Sequence, residues 1–267
     1  MAPIGIKEIP SKIRKQLGHI HHITFPGQGQ TSDVGIIHSA RGVSVLKRAK
    51  GRQFSEWLER EAYVLECLAQ TDLKVPQIYD FVQRDDEEDE DAIESWLLME
   101  HMEGETLLDF LADEDDPVTR YHILFQFGRT LRRIHSTPCP DGLVSDVKWL
   151  DRMLEQAEYN LEHFNAGTEE LLEELRNNKP EDIEPTLIHG DFTVDNVLVD
   201  EGGISGIIDW SGGAYGDPRY DVALAIRPKQ VVFENEDDLE AFFDGYGKKI
   251  INDEEYDYFE RGLYTFF

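Results

Sequence analysis

Cysteine is almost missing from this chain of 267 residues: only Cys67 and Cys139 occur. They show no CxxC spacing, which argues against a disulfide framework or a structural zinc site and fits a reducing, cytoplasmic setting. No stretch approaches 18 apolar residues, so no membrane-spanning helix is expected. The segment Met1 to Glu8 has no apolar run of the signal-peptide type. Bases are scarce as well. Lys and Arg number 26 against 55 Asp and Glu, a formal net charge of −29. A surface this negative disfavours nucleic acid and anionic membranes as partners. Its simplest reading is solubility or adaptation to salt. No internal repeat is found. What the chain does have is 40% hydrophobic and 10% aromatic residues, enough to bury a core in one large domain or two modest ones.

The first hundred residues alternate short apolar runs with turns. Val34 to His38 and Val43 to Lys47 read as strands joined at Ala40-Arg41-Gly42, and Gln77 to Val82 and Ser95 to Met99 as two more. Between the last pair lie seven consecutive carboxylates, Asp85 to Asp91. Their mutual repulsion predicts an exposed hairpin loop. Phe54 to Gln70 reads as a helix, with Phe54, Trp57, Leu58, Leu65 and Leu68 on one stripe. Glu61 falls inside that stripe. A carboxylate facing the protein body is costly unless a cation meets it.

After Gly104 the pattern turns helical. Tyr121 to His135, Trp149 to Phe164 and Thr168 to Asn177 read as helices, and 237–267 as helical and strongly acidic. A compact hairpin interrupts them, from Asn196 to Val199 and from Ile204 to Ile208. The order implies a β-rich lobe over 1–98, a joint at 99–104 and a mainly helical lobe over 105–267: an α+β fold.

The densest chemistry lies in Ile188-His189-Gly190-Asp191-Phe192-Thr193-Val194-Asp195-Asn196, followed by Gly206-Ile207-Ile208-Asp209-Trp210. Asp191 and Asn196 bracket a loop that runs into a strand. The hairpin folds back and returns Asp209 near Asn196. Amide and carboxylate oxygens gathered this way suit a hard cation such as Mg²⁺, leaving Asp191 to orient a hydroxyl.

HGDxxxxN followed by IIDW resembles the aminoglycoside phosphotransferase and choline kinase family, relatives of the protein kinases, over roughly residues 20 to 260. The resemblance implies a two-lobed kinase-like fold and γ-phosphoryl transfer from ATP or GTP, with Mg²⁺, to a hydroxyl. It makes Asp191 the catalytic base, and Asn196 and Asp209 the metal ligands. It makes Lys47 the phosphate-binding lysine and Glu61 its helix partner, which answers the misplaced carboxylate. Glu100 and Met102 are implied to meet the adenine ring through main-chain groups. Pro26 to Asp33 occupies the position of the phosphate-covering loop, with Ser32 where a GxGxxG motif has its third glycine; Gln30, Thr31 and Ser32 are expected to face phosphates. Asp217, Asp221, His135 and His189 are read as structural, with Asp221 supporting the catalytic loop. His19, His21 and His22 are not expected to bind metal.

There is no APE motif and only a short stretch between Asp209 and Asp221. A docked peptide is therefore a poor acceptor and a small molecule a better one, with 144–183 resembling the helical insertion that shapes its pocket. An aminoglycoside is the first expectation. Residues 141–188 hold 13 acids and 4 bases, and 229–267 hold 11 acids and 4 bases, so both segments would attract a cation. The competing reading is that they are solvated acidic faces. A macrolide, choline, a sugar or an amino alcohol remains as an alternative acceptor, and a nucleotide-binding module without transfer as an alternative function.

Overall fold

A computed structural model describes residues 3–26, 31–86 and 89–267, with the side chains of 85–92 outside that description. Its contacts divide the chain into two units, Met1–Met102 and Glu103–Phe267. The first is a sheet with two main helices and the second is mainly helical, so the α+β class expected from the sequence is the observed one.

The first unit runs α1 (Ser11–Leu17), β1 (Ile20–Thr24), β2 (Asp33–Ser39), β3 (Gly42–Lys50), α2 (Arg52–Leu68), β4 (Ile78–Asp86) and β5 (Asp89–Glu100). The strands form one antiparallel sheet in the order β1-β2-β3-β5-β4. Neighbours along a strand point to opposite faces. Leu46 and Leu98 therefore join Ile37 and Trp96 in a core filled by Ile9, Ile13 and Leu17 from α1 and its approach. Lys47 points the other way, toward α2. Helix α2 buries Leu58, Ala62, Leu65 and Leu68 at three- to four-residue intervals. Each fully buried leucine contributes roughly 1.5–3 kcal/mol.

Two expectations need correction here, and a third cannot be placed. Phe54 does not join the buried stripe of α2; it is exposed and packs edge-on against Trp57 at 5.7 Å. The acidic run is not a loop along its length, because strand pairing extends to Asp86 opposite Asp89. Residues 27–30, including Gln30 of the expected phosphate-covering loop, lie outside the described residues.

The second unit begins with β6 (Glu105–Thr106), α3 (Leu107–Ala112) and α4 (Pro117–Ser136). Asp116 caps α4 by accepting from the Thr119 N–H, and Pro117 occupies the first turn, where its missing N–H costs nothing. Next come α5 (Trp149–Phe164), α6 (Glu169–Asn177), β7 (Thr186–Ile188), β8 (Val197–Asp200), β9 (Gly203–Ile207), β10 (Ala214–Gly216), α7 (Pro218–Ala225), α8 (Glu236–Tyr246) and α9 (Asp253–Tyr256). Small sheets pair β6-β8-β9 and β7-β10. The stretch 237–267 is largely helical, as expected, in separate pieces. Gly247 closes α8 in the left-handed conformation, and α9 passes into a π-helical turn (Asp257–Gly262) and a 3-10 turn (Leu263–Phe266).

Helices α4 and α8 lie in backbone contact. A Cβ at Gly128 would collide with the Phe242 carbonyl oxygen, and one at Gly245 with the Phe125 carbonyl oxygen. Only glycine on each side permits this approach.

Candidate active site

In the first unit, strand β3 and helix α2 bring one cation to one carboxylate. Lys47 Nζ donates to both oxygens of Glu61, at 2.7 and 2.9 Å. The two side chains are only 8% and 6% exposed, so this is a buried pair and not a surface contact. The carboxylate that interrupts the apolar stripe of α2 thus has its counter-charge. The next residue on β3, Arg48, reaches back to Asp33 at 2.7 Å and to Glu8 at 3.1 Å. Asp33 directly follows Ser32, so Arg48 fixes one end of the segment that was expected to cover phosphates. The sequence pattern gave Arg48 no role. The Glu100 N–H is spent on Gln77 O at 2.8 Å, and the Glu100 side chain accepts from Gln77 N at 3.1 Å. Its main-chain N–H is therefore committed within this unit.

In the second unit the catalytic-loop candidates converge. Phe192 is fully buried and stacks on Phe127 of α4 at 4.7 Å. Leu108 N donates to Val194 O at 3.0 Å. With the apolar residues turned inward, the polar ones between them are held in place. Asn196 Nδ2 donates to Asp191 Oδ2 at 2.8 Å and to Asp191 O at 2.9 Å. Asp221 is fully buried and accepts from the N–H groups of His189 (2.7 Å) and Gly190 (2.8 Å). His135 bridges Asp221 Oδ2 at 3.2 Å and the Tyr246 hydroxyl at 2.8 Å. His189 spans Asp191 N and Ile208 O. These contacts give both histidines and Asp221 the supporting place read for them in the sequence. Asp217 caps α7 and pairs with Arg219.

The hairpin delivers Asp209 as the spacing suggests. Val197 pairs with Ile207, and Ile208 N donates to Asn196 O at 2.9 Å, so the following residue emerges beside Asn196. Asp209 itself adopts φ 62°, ψ 59°, a left-handed conformation uncommon outside glycine and best tolerated by Asp and Asn. Burial pushes the Asp191 carboxyl up to about 7. The Asn196 hydrogen bond opposes this shift, the Asp209 charge adds to it, and Tyr264 and Arg227 oppose it.

The donor set fits Mg²⁺. Among the described residues no three of His, Cys, Asp or Glu gather as a metal centre, so a cation here would take a partial protein shell. Asn196 directs its amide N–H groups at Asp191, and its oxygen is the atom left for another role. One amide oxygen and one carboxylate are the sparse, hard ligands that Mg²⁺ accepts when phosphates and water complete its octahedron.

Two residues beside Asp191 escape any reading of the sequence. The Tyr264 hydroxyl lies 3.3 Å from Asp191 Oδ1. The Arg227 guanidinium sits over the Tyr264 ring, 4.8 Å from its centre. Nothing in the local pattern around Tyr264 signals a contact made 73 residues away in sequence.

Comparison with known proteins places these observations. The profile of a group described as the phosphotransferase enzyme family matches residues 22–259. An aminoglycoside 3'-phosphotransferase of Enterococcus faecalis is 29% identical over 213 residues, covering 76% of each chain. One of Salmonella typhimurium is 27% identical over 162 residues, covering 57% of this chain and 56% of its own. Among solved structures, a type VIII aminoglycoside-3'-phosphotransferase superposes with a TM-score of 0.75. That match covers 96% of this chain and 97% of the other at 20% identity, a likeness of fold.

Proposed function

The chain belongs to the phosphotransferase enzyme family, and from that membership we propose that it moves the γ-phosphate of ATP or GTP to a hydroxyl of an aminoglycoside. The observation that carries the reading is the Asn196 clamp on Asp191, which fixes one carboxylate oxygen and leaves the other to face a hydroxyl. Asp191 accepts the acceptor's proton as the oxygen attacks phosphorus. A carboxyl held near 7 by burial is a stronger base than an ordinary aspartate and still ionises at neutral pH. Lys47, oriented by Glu61, binds the α- and β-phosphates. The backbone of Met102 and the Glu100 carbonyl serve the adenine ring, and Ser32 the phosphates. Asn196 and Asp209 would hold Mg²⁺, whose charge would offset that developing on the phosphates. The parts position and stabilise; no covalent enzyme intermediate is needed.

The acceptor class rests on the relatives' names. It is supported by the acids of 141–188 and 229–267, although several of these are already paired, as in Lys148–Asp182, Arg176–Glu158 and Arg120–Asp238. The test is a coupled-ADP assay with ATP or GTP and Mg²⁺, with mass spectrometry of the acceptors. Kanamycin, gentamicin, streptomycin and hygromycin B would be set against a macrolide, choline, neutral sugars and amino alcohols. Phosphorylation of an aminoglycoside is expected. Phosphorylation confined to the second group would replace the acceptor class. Nucleotide binding without turnover on any acceptor would favour a binding module.

A further inference from the structure

Asp191 meets two donors of unequal quality. Asn196 reaches Oδ2 at 2.8 Å, near the usual optimum, whereas the Tyr264 hydroxyl stands at 3.3 Å from Oδ1, well beyond the 2.7–2.8 Å typical of an O–H···O bond. The first is a clamp; the second is a contact that exchanges easily. Oδ1 is also the oxygen that the Asn196 clamp leaves for an acceptor hydroxyl. A phenol O–H on that atom has the chemistry of the acceptor itself.

The backbone around Tyr264 is anchored. Leu263 and Phe266 are buried on either side, and Asn160 Nδ2 donates to Phe266 O at 2.8 Å. Only the side chain has to move to clear Oδ1, and the Arg227 guanidinium lies over its ring at 4.8 Å. Burial and the neighbouring Asp191 push the Tyr264 phenol up to about 12, so it remains an O–H donor at neutral pH.

We propose that Tyr264 is a place-holding residue of the acceptor site: its phenol occupies on Asp191 Oδ1 the position that an acceptor hydroxyl takes, and keeps water from that position until an acceptor displaces it. This rests on the phosphotransfer reading above. It sets a specificity requirement, because an acceptor must bring a hydroxyl that outcompetes a phenol. Water alone, lacking other contacts, does so poorly, and acceptor-independent hydrolysis of ATP is held down.

The test uses the full chain with ATP, Mg²⁺ and kanamycin, or whichever panel member is phosphorylated fastest. Tyr264→Phe removes the competing hydroxyl and keeps the ring. Its acceptor KM should fall about three- to tenfold, the worth of one weak hydrogen bond to a charged group, while KM for ATP stays as in the wild type. Tyr264→Ala removes the ring too, and its ATP hydrolysis without acceptor should rise about tenfold, an increase that Asp191→Asn abolishes. A residue that merely positions Asp191 would instead lower kcat and leave acceptor KM alone. If wild-type protein transfers phosphate but Tyr264→Phe leaves acceptor KM unchanged or raises it, the proposal is overturned and the phosphotransfer reading stands. The proposal is equally overturned if folded Tyr264→Ala hydrolyses ATP no faster than wild type. If wild-type protein neither transfers phosphate nor hydrolyses ATP, both readings fall.

Discussion

The Lys47 ammonium donates to both carboxylate oxygens of Glu61 from a strand and a helix that meet inside the first unit. Removing one member of such a pair strands a buried charge and should cost about 3–5 kcal/mol. Lys47→Met and Glu61→Leu are each expected to lower the urea midpoint accordingly, while the double variant should recover most of the loss. KM for ATP should stay raised in all three. Additive destabilisation in that double-mutant cycle would show that the two residues are not coupled.

Asp191 should trade stability for chemistry. Its carboxyl rises from 3.8 to about 7 on folding, so the folded state holds the proton more tightly than the unfolded chain. Stability contributed by this group is complete below pH 3.8 and is lost as pH climbs through about 7. Asp191→Asn keeps hydrogen-bonding partners for Asn196 and Tyr264 and removes the decline. At pH 8 the variant should therefore melt higher than wild type, with a ceiling of about 4 kcal/mol for a shift of this size. Its turnover should fall roughly a hundred- to ten-thousandfold with nucleotide binding retained. Thermal melts across pH 4–8 without Mg²⁺, set beside turnover with it, check both halves.

Asp221 supports the loop without facing the reaction. Asp221→Ala leaves the buried His189 N–H and the half-buried Gly190 N–H without their acceptor, a cost of about 1–3 kcal/mol for the buried one and less for the other. It should lower kcat while KM for ATP stays near the wild-type value. A normal kcat in a folded Asp221→Ala protein would separate the loop's geometry from this carboxylate.

Salt separates the two readings of the acidic segments. If they gather a cationic acceptor, its KM should rise with ionic strength, since exposed charges are screened beyond about 8 Å at 0.15 M. Arg227 stands beside Asp191, so the attraction is expected from the surrounding helices and not from the reacting centre. A KM that does not respond between about 20 and 500 mM salt, after correction for any effect on ATP, would mark those acids as solvated faces.

The sequence was most legible where a rule of spacing carried the structure. Helix α5 runs over Trp149–Phe164 as read, because its period is unbroken. Glu61 announced a partner because it broke a period. Helix α1 has no clear signature in the sequence; its seven residues are too few for a stripe to stand out, and it is held by Ile9, Ile13 and Leu17 packing on the sheet. The run 237–267 is helical as its pattern suggests, but acidic composition does not reveal where Gly247 stops a helix. Tyr264 and Arg227 were invisible for a different reason. Contact with Asp191 depends on how α7, α8, α9 and the turns after them fold back, and that is a sum over many packings with no local signature.

The bare backbone contact between α4 and α8 reaches further than the helices themselves. Tyr246 at the end of α8 and His135 at the end of α4 share a hydrogen bond, and His135 passes that alignment to Asp221. Asp221 in turn fixes the two peptide groups that precede Asp191. The spacing of two helices thereby acts as a gauge for the reacting carboxylate. Gly128→Ala, a single added methyl against the Phe242 carbonyl, should wedge the helices apart and detune catalysis from a position that touches neither nucleotide nor acceptor. Variation in the family at such a remote glycine would then alter rate without altering any residue of the site.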